Sequence, residues 1–179
     1  WRKRVGDEEA NRVTKAATTR GTDFHTLTEH HLLNDEKLPK VPPISNFLFS
    51  VAKQKIGNIN NIYALEGSLY SRQLGIAGTV DCIAEYDGKL SIIDFKTSTK
   101  ERNDEWNENY YIQASAYAEM FEEQTGTPIE QIVILVVTED GAVQEFVKEK
   151  YDYIPLLVGT IDNVTKDREE ENDKLDRTG

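Results

Sequence analysis

The sequence is poor in sulfur, since its 179 residues include one cysteine, Cys82, and one methionine. A single cysteine excludes an internal disulfide, and it excludes any zinc or iron–sulfur site that needs four cysteines from this chain. We therefore expect no iron–sulfur cluster and a reduced, intracellular setting.

Long apolar runs are also missing from the sequence. None approaches the roughly 18 residues of a membrane-spanning helix, and no N-terminal stretch resembles a signal peptide, so we expect no membrane partner. The chain starts at Trp1 rather than at Met, and we expect further sequence ahead of it. The length fits one domain, which we assign to residues 1–165, followed by a charged C-terminal tail at 166–179 without an apolar face.

Basic residues are scarce overall, and the net charge of −11 is opposite to that of most nucleic-acid-binding domains. The acidity belongs to residues 101–179, with 20 Asp and Glu against 7 Lys and Arg. Residues 1–100 carry 12 acidic and 14 basic side chains, and a bound divalent cation would reduce the negative charge there further. The net charge therefore weakens a role with nucleic acid without excluding it.

The periodicity of apolar residues changes several times along the chain. It predicts helices over 7–36, with a break near Gly21, over 44–56, over 105–125 and from about Pro155 onward. It predicts strands over 61–70, 76–86, 89–97, 130–138 and 142–148. This order predicts a mixed α/β domain, in which antiparallel hairpin strands and a further strand form a central sheet flanked by helices.

A hairpin turn places two carboxylates opposite each other. Asp87-Gly88 favours a two-residue turn, because both central residues must adopt positive φ. That turn fixes the register so that Asp81 faces Asp94 across the two strands, with Cβ atoms roughly 4.5–5.5 Å apart. A bulge would break this register.

The surroundings of the two carboxylates are apolar, and Lys96 lies on the face of Asp94, two residues along. Strand alternation puts Ile83 and Ile92 on this face, and the opposite face receives Val80, Cys82, Ala84, Ile93 and Phe95. Buried like charges repel unless a proton or a cation lies between them, and a divalent cation is the simplest solution. The structural alternative is an ion pair between Asp81 and Lys96, with backbone amides bonded to Asp94.

Four motifs resemble those of the PD-(D/E)XK nuclease superfamily, and more narrowly its RecB-type exonuclease branch. They are residues 21–25 (GTDFH), Asp81, residues 94–98 (DFKTS) and residues 113–117 (QASAY), in that order along the chain. Around the hairpin the chain is most similar to exonucleases of mitochondrial genome maintenance and related phage exonucleases. The resemblance implies a restriction-endonuclease-like core.

The resemblance also implies roles for particular residues. His25, Asp81, Asp94 and the main-chain carbonyl of Phe95 are expected to bind Mg²⁺ or Mn²⁺. Lys96 is expected to position the attacking water and to stabilise the charge that grows on the phosphate. The catalytic set is therefore Asp81, Asp94 and Lys96.

Further residues are expected to contact the substrate strand. By resemblance, Gln113 and Tyr117 lie on one helical face that supports the lysine or contacts DNA, although Tyr117 could equally be a core aromatic residue. Thr97 and Ser98 could bind a phosphate or only end the β-strand, and Lys100 is placed to contact an incoming DNA strand. Glu66, on the strand before the hairpin, could be a further ligand or could support one.

These observations predict a metal-dependent deoxyribonuclease, an exonuclease on single-stranded DNA ends or flaps in replication, repair or recombination. Two alternatives stay open: a catalytically silent nucleic-acid-binding module, and an endonuclease or junction resolvase of the same fold. The compartment would be the bacterial cytoplasm for a phage-encoded protein, with mitochondria and the nucleus not excluded. The sequence gives no signal for the oligomeric state.

Overall fold

A computed structural model describes residues 1–176, with side-chain surroundings through residue 171. Its strands are β1 (Ile59–Ser71), β2 (Ile76–Tyr86), β3 (Lys89–Ser98), β4 (Gln131–Thr138) and β5 (Val143–Glu149). Its helices are α1 (Arg2–Val5), α2 (Asp7–Leu32), α3 (Pro43–Ile56), α4 (Glu108–Thr125) and α5 (Ile154–Asp176). Short 3₁₀ helices cover Asp104–Asn107 and Lys150–Asp152.

The strands form one mixed sheet in the order β1-β2-β3-β4-β5. β1, β2 and β3 are antiparallel neighbours, β4 is parallel to β3, and β5 returns antiparallel to β4. The parallel pair needs a crossover, which α4 supplies. The sheet confirms the predicted fold class of antiparallel strands plus a parallel addition, flanked by helices.

Helices cover both faces of the sheet. On one face, α4 and α5 pack over Ile83, Ile92 and Ile134, and on the other, α2 and α3 pack over Ala84 and Ile93. Seven of the eight residues of β4 are buried, as expected for a strand covered on both sides. The central strands β3 and β4 therefore lie between two hydrophobic cores.

The hairpin of β2 and β3 has the predicted turn and register. Asp87 and Gly88 have φ values of 49° and 81°, and the pairing runs from Tyr86–Lys89 to Cys82–Ile93. Both turn residues thus occupy the left-handed region that a two-residue hairpin turn of this type requires. The turn consequently holds the two strands in the register on which the carboxylate pair depends.

The helices differ from the prediction in two details. α2 continues through Gly21 without a break, and the segment before α4 begins as a 3₁₀ helix at Asp104. α5 extends through residues 166–176 of the expected charged tail, where the side chains from 166 to 171 are exposed, and residues 177–179 lie outside the described residues. Among the helices described through Asp176, none combines the length and apolar character needed to span a membrane.

Two glycine substitutions should change stability in opposite directions. Gly88→Ala should lower the free energy of unfolding by about 1–2 kcal/mol, because an L residue at φ 81° is strained even though nothing lies within 4 Å of the added Cβ. Gly159→Ala, inside α5 with equally open space, should raise it by roughly 0.5–1 kcal/mol. Urea unfolding measures both, and a Gly88→Ala variant as stable as the wild type would contradict the role of the turn.

Candidate active site

The predicted carboxylate pair lies where β2 and β3 separate. The paired register ends at Cys82 and Ile93, one residue short of Asp81 and Asp94. Beyond that point the N–H of Phe95 donates a hydrogen bond to Asp81 Oδ2 at 2.9 Å. The carboxyl group of Asp94 lies near enough for its negative charge to raise the pKa of Asp81. The predicted proximity is therefore present, although it arises through side chains rather than through a regular ladder.

Strand alternation fails at Asp81. Alternation predicts Val80 on the same face as Cys82, but Val80 packs with Ile83 against α4, whereas Cys82 faces α2 and α3. This prediction was wrong: the regular pairing of β2 with β3 ends at Cys82 and Ile93, and beyond it the Asp81 side chain accepts a hydrogen bond from the Phe95 N–H. At this irregularity, Asp81 lies in the opening between β2 and β3.

Lys96 and Asp94 form an ion pair on the α4 face of β3. Their nitrogen and oxygen atoms, Lys96 Nζ and Asp94 Oδ2, are 2.8 Å apart, and the Asp94 side chain is only 7% exposed. The ammonium group of Lys96 is the one partner of the buried Asp94 Oδ2 among the described residues. The alternative pairing of Lys96 with Asp81 and of Asp94 with backbone amides is therefore not the arrangement observed. Asp94 retains an oxygen that can bind a further cation.

Burial and neighbouring charges shift the pKa values of Asp81 and Lys96. Loss of solvent, and next the negative charge of Asp94, raise the pKa of Asp81 to about 8, although the Phe95 N–H opposes the change. Burial by itself lowers the pKa of Lys96, but the neighbouring Asp94 and Asp81 outweigh it, and the pKa is raised. Lys96 is accordingly protonated at neutral pH and serves as a cation and hydrogen-bond donor.

His25 reaches the carboxylates from α2, on the opposite face of the sheet. Its Nε2 lies 2.6 Å from the carbonyl oxygen of Phe95, and its Nδ1 lies 3.6 Å from Asp81 Oδ1. Nδ1 is also 3.9 Å from Glu66 Oε1 on β1. The helix approaches closely at Gly21, one turn before His25, where an added Cβ would lie 3.5 Å from Thr97 Oγ1. Residues from both faces of the sheet thus line the opening between β2 and β3.

The donor atoms here suit a divalent cation. One ligand atom each from His25, Glu66 and Asp81 lie within 4.8 Å of one another. Carboxylate and carbonyl oxygens are the ligands that Mg²⁺ and Mn²⁺ prefer. Asp94, which is paired with Lys96, brings a further carboxylate close to this group. The residues present therefore fit the expected metal, with Glu66 as an addition to the expected set.

Gln113 and Tyr117 lie on α4, facing a groove of about 390 Å³ between α4, α5 and the loop before β2. Gln113 is exposed, whereas Tyr117 is buried. Burial, followed by the charges of Asp94 and Asp81, raises the pKa of Tyr117, so its hydroxyl is electrostatically coupled to the carboxylates. The structure thus brings Tyr117 to the site and puts Gln113 at its rim.

The three remaining substrate candidates follow the motif strand. Thr97 and Ser98 are half-buried at the end of β3, and the Ser98 hydroxyl donates to the carbonyl oxygen of Lys100 at 2.6 Å. Lys100 itself is exposed. The Ser98 contact is that of a residue that ends a strand, and Lys100 has the exposure that a phosphate contact requires.

Tyr110 is a site residue that the motifs did not indicate. Lys96 Nζ lies 4.8 Å from the centre of its ring, and the guanidinium of Arg102 lies 5.1 Å from it. Two cations on one ring are favourable cation–π contacts and help to hold the lysine. Its spacing could have revealed it, because Tyr110 precedes Gln113 and Tyr117 by three and seven residues on the same helical face.

Fold and site together define an α/β domain of nuclease type, in which two acidic residues and a lysine meet on adjacent strands beside a helical histidine. The chain belongs to the PD-(D/E)XK nuclease superfamily, whose family model matches residues 47–177. This match confirms the family that the motifs indicated.

Three relatives carry the name mitochondrial genome maintenance exonuclease 1. The chain is 32% identical over 105 residues to the protein of Xenopus tropicalis, 31% over 106 to that of Mus musculus and 32% over 111 to that of Homo sapiens. These matches cover 56% of this chain but only 30–31% of each relative, so the chain spans about a third of their length. A solved structure from Eubacterium rectale is 12% identical, with a TM-score of 0.42 over 63% of this chain and 49% of its own.

Asp81→Asn should stabilise the metal-free protein at alkaline pH. The folded pKa of about 8 exceeds the ordinary value of 3.8, so folding favours the protonated acid, and this stability is lost as pH rises from about 4 through 8. Asparagine mimics the protonated acid at every pH. In EDTA, the melting temperature of the variant should therefore exceed that of the wild type by an amount that grows between pH 5 and pH 8.5, roughly 2–4 °C for each kcal/mol. A less stable variant at pH 8.5 would contradict this reading.

Gly78→Ala should be costly only while Tyr117 is present. A Cβ at Gly78 would lie 2.9 Å from Tyr117 Cε1 and 3.2 Å from its hydroxyl. Overpacking of this kind costs about 1–3 kcal/mol, and removing the ring in Tyr117→Ala should abolish that cost. A double-mutant cycle by urea unfolding measures the coupling. Equal costs in the two backgrounds would show that the ring does not depend on this glycine.

Proposed function

We propose that the protein is a metal-dependent deoxyribonuclease that hydrolyses phosphodiester bonds, and that it acts as an exonuclease on single-stranded DNA ends or flaps in replication, repair or recombination. The observation that carries this proposal is the approach of Lys96 Nζ to Asp94 Oδ2 at 2.8 Å, directly beside the donors of His25 and Asp81. A silent binding module has no need of a buried lysine held against a carboxylate pair.

The residues of the site have separate chemical roles. His25, Asp81, Asp94 and the Phe95 carbonyl would hold Mg²⁺ or Mn²⁺, which supplies Lewis-acid polarisation of the phosphate and an acidified water when bound. Lys96 is protonated and fixed by Asp94, so its ammonium group can orient the attacking water and stabilise the charge that develops on the phosphate oxygens. Asp94 thus has two tasks, one toward the metal and one toward the lysine.

The preference for single strands is supported by the groove beside the site. Apolar side chains of Met120, Leu157 and Ile161 line it together with Tyr117 and Gln113. Unpaired bases can stack on or pack against such surfaces, whereas bases in a duplex are not accessible to them. The exposed Lys100 can contact the backbone of the same strand. The relatives' name, which refers to an exonuclease and to genome maintenance, agrees with DNA as the substrate.

Lys96→Ala should abolish cleavage while the fold stays intact. Loss of a donor that stabilises transition-state charge costs about a hundredfold to a thousandfold in rate. The matched control is Lys89→Ala at the far end of the same strand, where the lysine pairs with the exposed Glu149. We expect Mg²⁺-dependent digestion of single-stranded DNA by the wild type and the control, and none by Lys96→Ala.

Cleavage of different DNA substrates distinguishes an exonuclease from an endonuclease, a junction resolvase or a silent binding module. Labels at the 5′ or 3′ end report the polarity of an exonuclease, and circular single-stranded DNA resists a nuclease that needs an end. Cleavage of circles at the rate of linear strands would indicate an endonuclease or junction resolvase instead. DNA binding by the wild type without digestion in either Mg²⁺ or Mn²⁺ would overturn the proposed activity and favour a silent binding module.

A further inference from the structure

We propose that Glu66 is a direct ligand of the divalent cation held by His25 and Asp81, an inference that rests on the metal dependence proposed above. Glu66 lies on β1, outside the four motifs that indicated the site. It is the β1 residue opposite Asp81, because Leu65 pairs with Cys82 and Gly67 pairs with Val80. The edge strand therefore brings a third carboxylate to the pair on β2 and β3.

The distances among the donors suit one shared cation. His25 Nδ1 is 3.9 Å from Glu66 Oε1 and 3.6 Å from Asp81 Oδ1, and the three ligand atoms all lie within 4.8 Å of one another. Donors about 2.1 Å from a common Mg²⁺ or Mn²⁺ ion lie roughly 3–4.2 Å apart, depending on the angle at the metal. The separations to His25 fall inside this interval.

A second observation points to a cation at this place. Asp94 lies beside Asp81, its side chain is more than nine-tenths buried, and its Oδ2 is paired with Lys96 Nζ at 2.8 Å. Lys96 is the one cation paired with these carboxylates among the described residues, so the charges of Asp81, Asp94 and Glu66 exceed the positive charge near them. Such an excess is stable beside a low-polarity core only when a proton or a further cation neutralises part of it.

The surroundings leave room for the remaining ligands. A cavity of about 500 Å³ opens beside His25 and Glu66, along the α2 residues Thr22 and Thr26. The Glu66 side chain is 40% exposed toward it, so water and a substrate phosphate can reach a cation bound there. A hard cation of this kind usually keeps several such oxygen ligands.

A positioning role for Glu66 is the alternative, in which it accepts a hydrogen bond from His25 Nδ1 without touching the metal. The separation of 3.9 Å is longer than a hydrogen bond. The two roles also differ in what a substitution does. Glutamine keeps an acceptor oxygen and would preserve a positioning role, but it loses the carboxylate charge that a hard cation requires.

Mn²⁺ binding to the full chain, measured by isothermal titration calorimetry at pH 7.5, tests the inference without reference to nuclease activity. We expect Glu66→Gln and Glu66→Ala each to weaken Mn²⁺ affinity by at least about tenfold. Glu29→Gln is the matched control, because Glu29 lines the same cavity one turn along α2 but lies outside the donor cluster, and its affinity should stay within about twofold. Thermal unfolding in EDTA checks that all variants fold.

The remaining outcomes distinguish the ligand role of Glu66 from the proposed metal dependence of the protein. Wild-type affinity in Glu66→Gln, whether or not Glu66→Ala is weakened, would overturn the ligand role and leave the proposed metal dependence standing. A wild-type chain that binds no Mn²⁺ would overturn both. Equal losses in Glu29→Gln and Glu66→Gln would show that only the general negative potential of the cavity acts, which also overturns the ligand role.

Discussion

Two carboxyl groups, Asp81 and Asp94, are held in contact between two hydrophobic cores, and the rest of the site follows from that constraint. Water cannot screen them, so one must carry a proton or a cation must neutralise both. Lys96 supplies part of the positive charge through its ion pair with Asp94. The pKa of Asp81 is raised, first by its burial and next by the negative charge of Asp94.

The site is built through the sheet rather than on one of its faces. Regular pairing of β2 and β3 stops just before Asp81, and the opening receives His25 from α2 on one side and the lysine beside Tyr110 on the other. Each helix is fixed by its own core, so His25 on α2 and Tyr110 on α4 are positioned independently. Function of the kind proposed requires this rigidity, because donors must be in place before the substrate arrives.

Much of this arrangement could be predicted because local rules govern it. The turn at Asp87-Gly88 fixes the hairpin register, and alternation then places Lys96 on the face of Asp94. Alternation failed at Val80, beyond the end of the regular pairing between β2 and β3, and no local pattern in the sequence indicates where that pairing ends. Tyr110 was missed for a different reason: its spacing puts it on the helical face of Gln113 and Tyr117, but only the structure shows that Lys96 lies over its ring.

The sequence by itself determined the fold class, the carboxylate pair and the family, because turn chemistry, periodicity and motif order act over short stretches of chain. Tertiary structure decided which distant residues join the pair. Glu66 comes opposite Asp81 only because β1 changes register between Asn60 and Ala64, and His25 reaches the carbonyl oxygen of Phe95 because α2 packs against the sheet. Such contacts depend on the packing of whole elements against one another, which the spacing of residues along the chain does not encode.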